Sequence, residues 1–307
     1  MYHSILVPLD GSPFAEQALP LALTIANRAG ASLEVVRVHE LYALKDPHCC
    51  WSPFDPAEDA MFKEQEQAYL DGITKRLGKA ASVPVTSALV NGRIEDGILE
   101  RARAKPADLI VMTTHGCGAT SRFWLGSVAD ELVRHAPVPV LMMRPREASQ
   151  DLEPEPTLRR MLIPLDGSEF AKQVREPAIA LGSLMDSEYV LVRAVESSSL
   201  PVGFPVAAEL RVAEQSRLEK RKAEAQAYLD RVAERLRAEA FRIETHVVVG
   251  ESAAAAVLDV TRDKGIDVIA IATHGRSGLK RLFLGSVADK ILRGTCLPVL
   301  VTGSVRW

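Results

Sequence analysis

Two segments of the chain carry glycine and serine at a spacing that suits phosphate binding. "THGCGATSRFWLGS" begins at Thr114, and "THGRSGLKRLFLGS" begins at Thr273. Glycine lets backbone amides approach a phosphate because no side chain intervenes, and a helix N-terminus attracts anions. The segments therefore predict two phosphate-binding loops. Their binding residues are Gly116, Gly126 and Ser127 in the first copy and Gly275, Gly285 and Ser286 in the second.

Each copy also places a carboxylate and a small apolar residue where a nucleotide could use them. Asp10 and its twin Asp166 end the first strand-like run, within the repeated "PLDGS". A carboxylate there would suit a ribose hydroxyl or a phosphate-bound metal ion. Val38 and Ala194 end the second run, where they could contact a base. We therefore expect one nucleotide site per copy.

These motifs also have structural interpretations. Ser127 with Asp130, and Ser286 with Asp289, match the S-x-x-D pattern of a helix capping box, which would explain the serines without a ligand. The carboxylates after the first strands could merely stabilise the start of the next helix.

The motif histidines, His115 and His274, sit in a turn. We expect them to form loop hydrogen bonds rather than to act as catalysts, since no carboxylate or nucleophile partners them in sequence.

The elements that must position these residues occur twice. "ILVPLDGSPFAEQA" from Ile5 aligns without gaps on "MLIPLDGSEFAKQV" from Met161. A proline- and acid-rich stretch without periodicity separates the copies. We predict domains at 1–145 and 158–307, joined by a linker at 146–157.

Within each copy, apolar strand-like runs alternate with helical patterns. This alternation predicts an α/β fold with a parallel sheet covered by helices on both faces. In a strand order 3-2-1-4-5, the loops after the first and fourth strands face one crevice, where ligands bind in doubly wound sheets. We infer that order from the repeat type.

Composition excludes several classes of protein. The 307 residues carry a formal net charge of −3, which gives no general electrostatic reason to bind nucleic acid or an anionic membrane. No apolar run approaches the roughly 18 residues of a membrane span, and the first residues lead into a strand rather than a secretion signal. We expect a cytoplasmic protein.

The cysteines do not follow a common zinc spacing. Cys49, Cys50, Cys117 and Cys296 are interpreted as reduced thiols. His39 and His48 could bind a soft metal together with Cys49 and Cys50, but an ordinary loop is the favoured interpretation of that stretch.

The chain has "PLDGS" near each domain start, and "THG", nine residues and "GS" near each domain end. In these motifs it resembles the universal stress protein family in its tandem two-domain form. ATP-binding members of that family carry glycine, two residues, glycine, nine residues, glycine, then serine or threonine. The second and third glycines and the serine match here. The first glycine is Thr113 in one copy and Ala272 in the other.

This departure favours the second copy as the binder. Alanine adds only a methyl group, whereas the β-branched Thr113 narrows the pocket. The second loop also has Arg276, Lys280 and Arg281 to meet phosphate charge, while the first has only Arg122 between its glycines.

The resemblance implies two tandem five-stranded, Rossmann-like sheets of the adenine nucleotide α-hydrolase-like type, whose last strands pair as an intramolecular pseudo-dimer. Two such chains could also associate as a homodimer. The resemblance further implies ATP, with or without Mg²⁺, as the cofactor. The implied contacts are Asp10, Val38, Thr113, His115, Gly116, Gly126, Ser127 and Val128 in the first copy, and Asp166, Ala194, Ala272, His274, Gly275, Arg276, Gly285, Ser286 and Val287 in the second.

The leading hypothesis is a stress-response protein that binds an adenine nucleotide and uses occupancy to change its conformation or its protein partners. Hydrolysis would be slow, because neither a Walker lysine nor paired metal carboxylates appear in the sequence. The alternative is a nucleotide-free interaction scaffold. An ATP-pyrophosphatase is disfavoured because its "SGG-x-D-S" loop is absent from "PLDGS".

Overall fold

The computed structural model describes residues 2–40, 55–114, 125–145, 157–168, 174–197, 208–273 and 285–303. The chain divides into two compact units. Unit 1 spans Met1–Pro156 and unit 2 spans Thr157–Ser304.

Unit 1 is an α/β unit whose strands pair in parallel. The strand order is β3-β2-β1-β4-β5, which confirms the predicted topology. Its elements are β1 (Ser4–Pro8), α1 (Pro13–Glu16), α2 (Leu19–Ala29), β2 (Ser32–His39), α3 (Pro56–Gly78), β3 (Val85–Asn91), α4 (Ile94–Ala104), β4 (Leu109–Thr113), α5 (Ser127–His135) and β5 (Val140–Met143).

Unit 2 repeats this arrangement. Its strands also pair in parallel, in the equivalent order β8-β7-β6-β9-β10. Its elements are β6 (Arg160–Pro164), α6 (Arg175–Leu184), β7 (Glu188–Glu196), α7 (Ala208–Ala238), β8 (Ile243–Gly250), α8 (Ala253–Asp263), β9 (Val268–Ala272), α9 (Ser286–Gly294) and β10 (Val299–Thr302).

Helices cover both faces of the sheet, as β2 shows. Glu34 binds Arg101 of α4, whereas Arg37 binds Glu66 of α3. Residues an odd number apart in a strand face opposite sides of the sheet, so α3 and α4 lie on opposite faces. The central strands are accordingly apolar at consecutive positions, and all five residues of β4 are buried.

The same carboxylate contact fixes the register of the central strands in both units. Asp108, just before β4, accepts hydrogen bonds from the backbone amides of His3 and Ser4 at the start of β1. Asp267, just before β9, accepts from the amides of Arg159 and Arg160 at the start of β6. Asp108 therefore links the start of β4 to the start of β1, and Asp267 links the start of β9 to the start of β6. The predicted crevice lies beside the opposite ends of these strands.

Within the residues that the structure describes, no helix is both long enough and apolar enough to cross a membrane.

Candidate functional site

The predicted site residues follow neighbouring strands at one edge of each sheet. In unit 1, Asp10 follows β1, Val38 is near the end of β2, and Thr113 ends β4. Because β1 lies between β2 and β4, all three stand at the carboxyl edge, where the winding direction reverses. Asp166, Ala194 and Ala272 hold the same places on β6, β7 and β9 of unit 2.

The turn after β1 is built around Asp10. Its Oδ1 accepts from the Ser12 backbone N at 2.8 Å and from Ser12 Oγ at 2.6 Å. Gly11 between them has φ +86°, in the left-handed region that favours glycine. Ser12, not Asp10, caps α1 by accepting from the Ala15 backbone N at 3.1 Å. Asp10 therefore closes the turn and contacts the residue that caps α1, so its role at the helix start is indirect.

Unit 2 repeats this turn in its described part. Asp166 Oδ1 accepts from the Ser168 backbone N at 2.8 Å, and Gly167 has φ +87°. Asp10 is exposed and Asp166 is half-buried. Both turns therefore hold a carboxylate at the crevice.

Helices α5 and α9 begin beside the ends of β4 and β9. The backbone N of Gly126 donates to the Thr114 carbonyl at 3.0 Å, and that of Gly285 to the Thr273 carbonyl at 2.7 Å. Both glycines occupy the N-cap position, so the N-cap residue has no side chain with which to cap the helix. The first turn of each helix therefore lies at the strand ends behind a glycine N-cap.

The capping-box interpretation is therefore wrong in both units. Asp130 accepts from Arg134 through both carboxylate oxygens, each at 2.9 Å, instead of reaching back to the helix start. Asp289 accepts from Arg293 at 2.8 Å in the same way. The i,i+4 ion pairs take the carboxylates that the box would need.

The serines that open these helices are exposed. Ser127 and Ser286 form no side-chain hydrogen bond within the part of the chain that the structure describes. Val128 is half-buried and Val287 is 38% exposed, so backbone of the first turn borders solvent in both units. A hydroxyl and amides in this arrangement suit an anion, since the helix N-terminus carries partial positive charge.

The residues that replace the first motif glycine differ in burial. Thr113 is 6% exposed, and Ala272 is half-buried.

In β2, the Val38 methyl groups lie 3.0 and 3.1 Å from where a Cβ on Gly97 would stand. The Val38 side chain therefore packs closely against α4, which requires a glycine at this point. Ala194 offers a smaller side chain at the equivalent position.

Some predicted site residues lie outside the described residues and stay predictions. They are His115, Gly116, His274, Gly275 and Arg276, together with the loop residues Arg122, Lys280 and Arg281.

The structure also contains a cavity in unit 1 that sequence reasoning missed. It has a volume of about 310 Å³. It is bounded by the turn after β1, the end of β2 and the first half of α3. Its lining residues are Gly11, Arg37, His39, Glu40, Asp59, Phe62, Gln65, Glu66 and Tyr69.

His39 belongs to this cavity wall and not to a loop, so its assignment to an ordinary loop is wrong. It is the last residue of β2 and is 4% exposed. His48, Cys49 and Cys50 lie outside the described residues. Across the described ranges, no group of three potential ligands could hold a metal ion. Comparing the copies could have revealed this cluster, because Val195 and Ala225 replace His39 and Glu66 in unit 2.

Two charge clusters lie away from the crevice, one around Glu34 of β2 and one around Glu244 of β8. Burial acts to raise the pKa of Glu34, but hydrogen bonds from Arg101 and Lys105 outweigh it and hold that pKa below its usual value. In unit 2, a hydrogen bond from Lys264 is the main cause that lowers the pKa of Glu244 to about 2.

A parallel sheet of this order, with a carboxylate turn and an uncapped helix start at the switch point, defines a doubly wound α/β protein with a ligand crevice at its strand ends. The sequence model of the universal stress protein family matches residues 1–144 and again 157–303. The chain belongs to the universal stress protein family and carries its domain twice.

Relatives agree with this assignment. A universal stress protein of Thermus aquaticus is 36% identical over 145 residues, which cover 47% of this chain and all of that protein. One from Mycobacterium tuberculosis is 27% identical over 308 residues, covering 97% of this chain and 96% of that protein.

A crystal structure of a universal stress protein from Archaeoglobus fulgidus has the same fold. Its TM-score is 0.69 at 18% identity, with 98% of each chain covered.

Proposed function

We propose that this protein binds ATP or a related adenine nucleotide at the strand-end crevice, with unit 2 as the tighter site. The observation that carries the proposal is the start of α5 and α9. Each helix has a glycine at its N-cap, which offers no side chain to the first turn, and then presents an exposed serine. An exposed helix start of this kind suits a phosphate.

The turn carboxylates support a nucleoside rather than a bare phosphate. Asp10 and Asp166 follow the strands next to β4 and β9, so each stands across the crevice from a helix start. A carboxylate at this position of a doubly wound sheet suits a ribose hydroxyl. Mg²⁺ bound to the phosphates would also find an oxygen ligand there.

The preference for unit 2 rests on the residue at the first motif glycine. The γ-methyl and hydroxyl of Thr113 add bulk at the end of β4, while Ala272 adds a single methyl group at the end of β9. We therefore expect the crevice of unit 2 to admit a phosphate chain more readily.

We propose that occupancy acts as a switch in the stress response and that hydrolysis is slow or absent. The turn carboxylate of each crevice gives little means to activate water, and it already accepts hydrogen bonds within its own turn.

The test is equilibrium binding of Mg-ATP by isothermal calorimetry to the nucleotide-stripped full chain and to Ser286→Asp. Aspartate in the first turn favours the helix but repels phosphate, so the variant should stay folded and lose at least tenfold in affinity. Ser127→Asp is the matched control in unit 1 and should change the tighter binding event little. Equal affinity of Ser286→Asp and the parent would contradict the proposal.

A nucleotide-free scaffold is the second candidate, and the burial of Thr113 favours it for unit 1. Purified protein that releases no nucleotide on denaturation, by ultraviolet absorbance, and binds none in the calorimeter would support it. Protein partners, the pseudo-dimer and a homodimer remain predictions from the sequence.

A further inference from the structure

Unit 1 contains a buried histidine held between two carboxylates. His39 Nδ1 lies 2.7 Å from Glu66 Oε2, and its Nε2 lies 2.8 Å from Asp59 Oδ1. Asp59 and Glu66 are seven residues apart on α3, which is about two turns, so they project from one face of the helix. The imidazole ring at the end of β2 therefore contacts α3 at two points.

The number of protons on the His39 ring decides whether both contacts can be hydrogen bonds. A carboxylate only accepts, and a neutral imidazole has one N–H, so it can donate to one of the two partners. Both contacts are hydrogen bonds only when each ring nitrogen carries a proton. We propose that His39 is a proton-dependent latch between α3 and β2 in unit 1. The imidazole makes both hydrogen bonds when it is charged and only one when it is neutral.

Each carboxylate that faces His39 also contacts a second basic side chain. Arg37 of β2 lies 3.2 Å from Glu66 Oε1, and Lys63 of α3 lies 2.8 Å from Asp59 Oδ2. The hydrogen bond from Lys63, followed by that from His39, lowers the pKa of Asp59. Each carboxylate therefore faces His39 with one oxygen and a permanent cation with the other.

Among the described residues, other titratable groups near the latch lie on β2, α3, α1 and the turn after β1. Glu40 of the β2 end lines the same cavity, as does Tyr69 of α3. Tyr69 donates to Glu16 of α1 at 3.1 Å. Asp10 of the turn after β1 lies close enough to Tyr69 to help raise its pKa, behind the larger effects of burial and Glu16.

The latch reaches the candidate nucleotide crevice through Arg37. The Arg37 guanidinium carbon lies 5.4 Å from the centre of the Tyr69 ring, and the guanidinium covers Gly11 next to Asp10. Arg37 therefore joins Glu66 to the turn after β1. The latch itself does not depend on nucleotide binding.

Unit 2 builds the equivalent joint with an apolar residue in place of the histidine. Arg193 stacks on Tyr228 at 4.8 Å, as Arg37 does on Tyr69. Two residues after Arg193 stands Val195, and three before Tyr228 stands Ala225. Both are buried, at 7% and 1% exposure. An apolar pair thus replaces His39 and Glu66, which makes unit 2 an internal control.

The pH dependence follows from these protonation states. Both bonds are present when each ring nitrogen of His39 carries a proton, and one is lost when the ring gives up a proton. The lowered pKa of Asp59 keeps its carboxylate ionised, and so an acceptor, at pH 5.5. Unit 1 should therefore hold the first turns of α3 more tightly at pH 5.5 than at pH 8.5.

The test is hydrogen exchange of the full chain at pH 5.5 and 8.5, corrected for intrinsic rates. Loss of one charge-assisted hydrogen bond should raise opening of the α3 first turns about tenfold at the higher pH. Helix α7 should show no such excess. The double variant H39V/E66A, which carries the apolar pair of unit 2, should abolish the pH effect. An equal effect in that variant would overturn the proposal.

Direct observation of the ring keeps the proposal falsifiable if the double variant does not fold. Imidazole nitrogen NMR of the parent protein should show both His39 nitrogens protonated at pH 5.5 and one at pH 8.5. His135 and His246 serve as reference histidines on other elements. A neutral His39 ring at pH 5.5 would contradict the latch.

Discussion

Gly11 and Gly167 offer a matched pair of substitutions, because their backbones agree and their neighbours differ. Their φ angles are +86° and +87°, and each follows the candidate carboxylate of its unit. A Cβ on Gly11 would stand 2.1 Å from Arg37 Nη1, whereas a Cβ on Gly167 would stand 3.4 Å from the nearest atoms of Arg193. Alanine is therefore strained at both positions but displaces an arginine only in unit 1.

The expected costs follow from these distances. Left-handed backbone costs an alanine about 1–2 kcal/mol in either unit. In unit 1, the flexible end of the Arg37 side chain must also shift. Its stacking on Tyr69 contributes about 0.5–1 kcal/mol and its ion pair with Glu66 about 0.5–1 kcal/mol. Gly11→Ala should therefore destabilise unit 1 more than Gly167→Ala destabilises unit 2, by up to about 1–2 kcal/mol if both contacts are lost.

Hydrogen exchange of the central strands is the suitable assay, because a chain of two units need not unfold in one step. The slowest amides of β1 and β2 report on unit 1, and those of β6 and β7 report on unit 2. An excess of 1–2 kcal/mol corresponds to about 5–30-fold faster exchange. Equal effects of the two substitutions would show that Arg37 does not support the turn, which would refute this reasoning.

Three further predictions concern stability. Glu34→Gln should weaken the hydrogen bonds that Arg101 and Lys105 donate to this side chain, and should destabilise unit 1 by about 1–2 kcal/mol. Urea unfolding, followed through hydrogen exchange of the β2 amides, measures this loss. The stability that Glu244 contributes is present above its ordinary pKa near 4.5 and is lost as pH falls towards about 2. Acid unfolding of unit 2 should therefore occur at higher pH in Glu244→Gln. Lys264→Arg keeps the cation and should unfold at the same pH as the parent. Gly182→Ala should cost about 1–3 kcal/mol by overpacking, because its Cβ would overlap the buried Tyr189 ring; a thermal melt unchanged from the parent would contradict that overlap.

The repeat and the strand positions could be predicted from the sequence because their signals are local, whereas the strand order was inferred from the repeat type. Consecutive apolar residues mark strands buried on both faces, as in β4, and "PLDGS" marks the first strand end in each copy. The motif spacing also located the starts of α5 and α9 at Gly126 and Gly285. These features depend on residues close together in the chain.

Hydrogen-bond partners were harder to predict because they depend on register and rotamer. The S-x-x-D pattern suggested a capping box, yet Asp130 binds Arg134, which the helix places one turn later on the same face. The cluster around His39 joins residues 20 and 27 positions apart in sequence. No local pattern marks such a contact, and it becomes visible only when α3 packs against β2.

The central claim is that an adenine nucleotide binds at the strand-end crevice of unit 2. Calorimetric titration of the nucleotide-stripped full chain with Mg-ATP, beside Ser286→Asp, tests it most directly. The account predicts saturable binding to the parent and at least tenfold weaker binding to the variant. No binding to the parent, or equal binding to both, would contradict it.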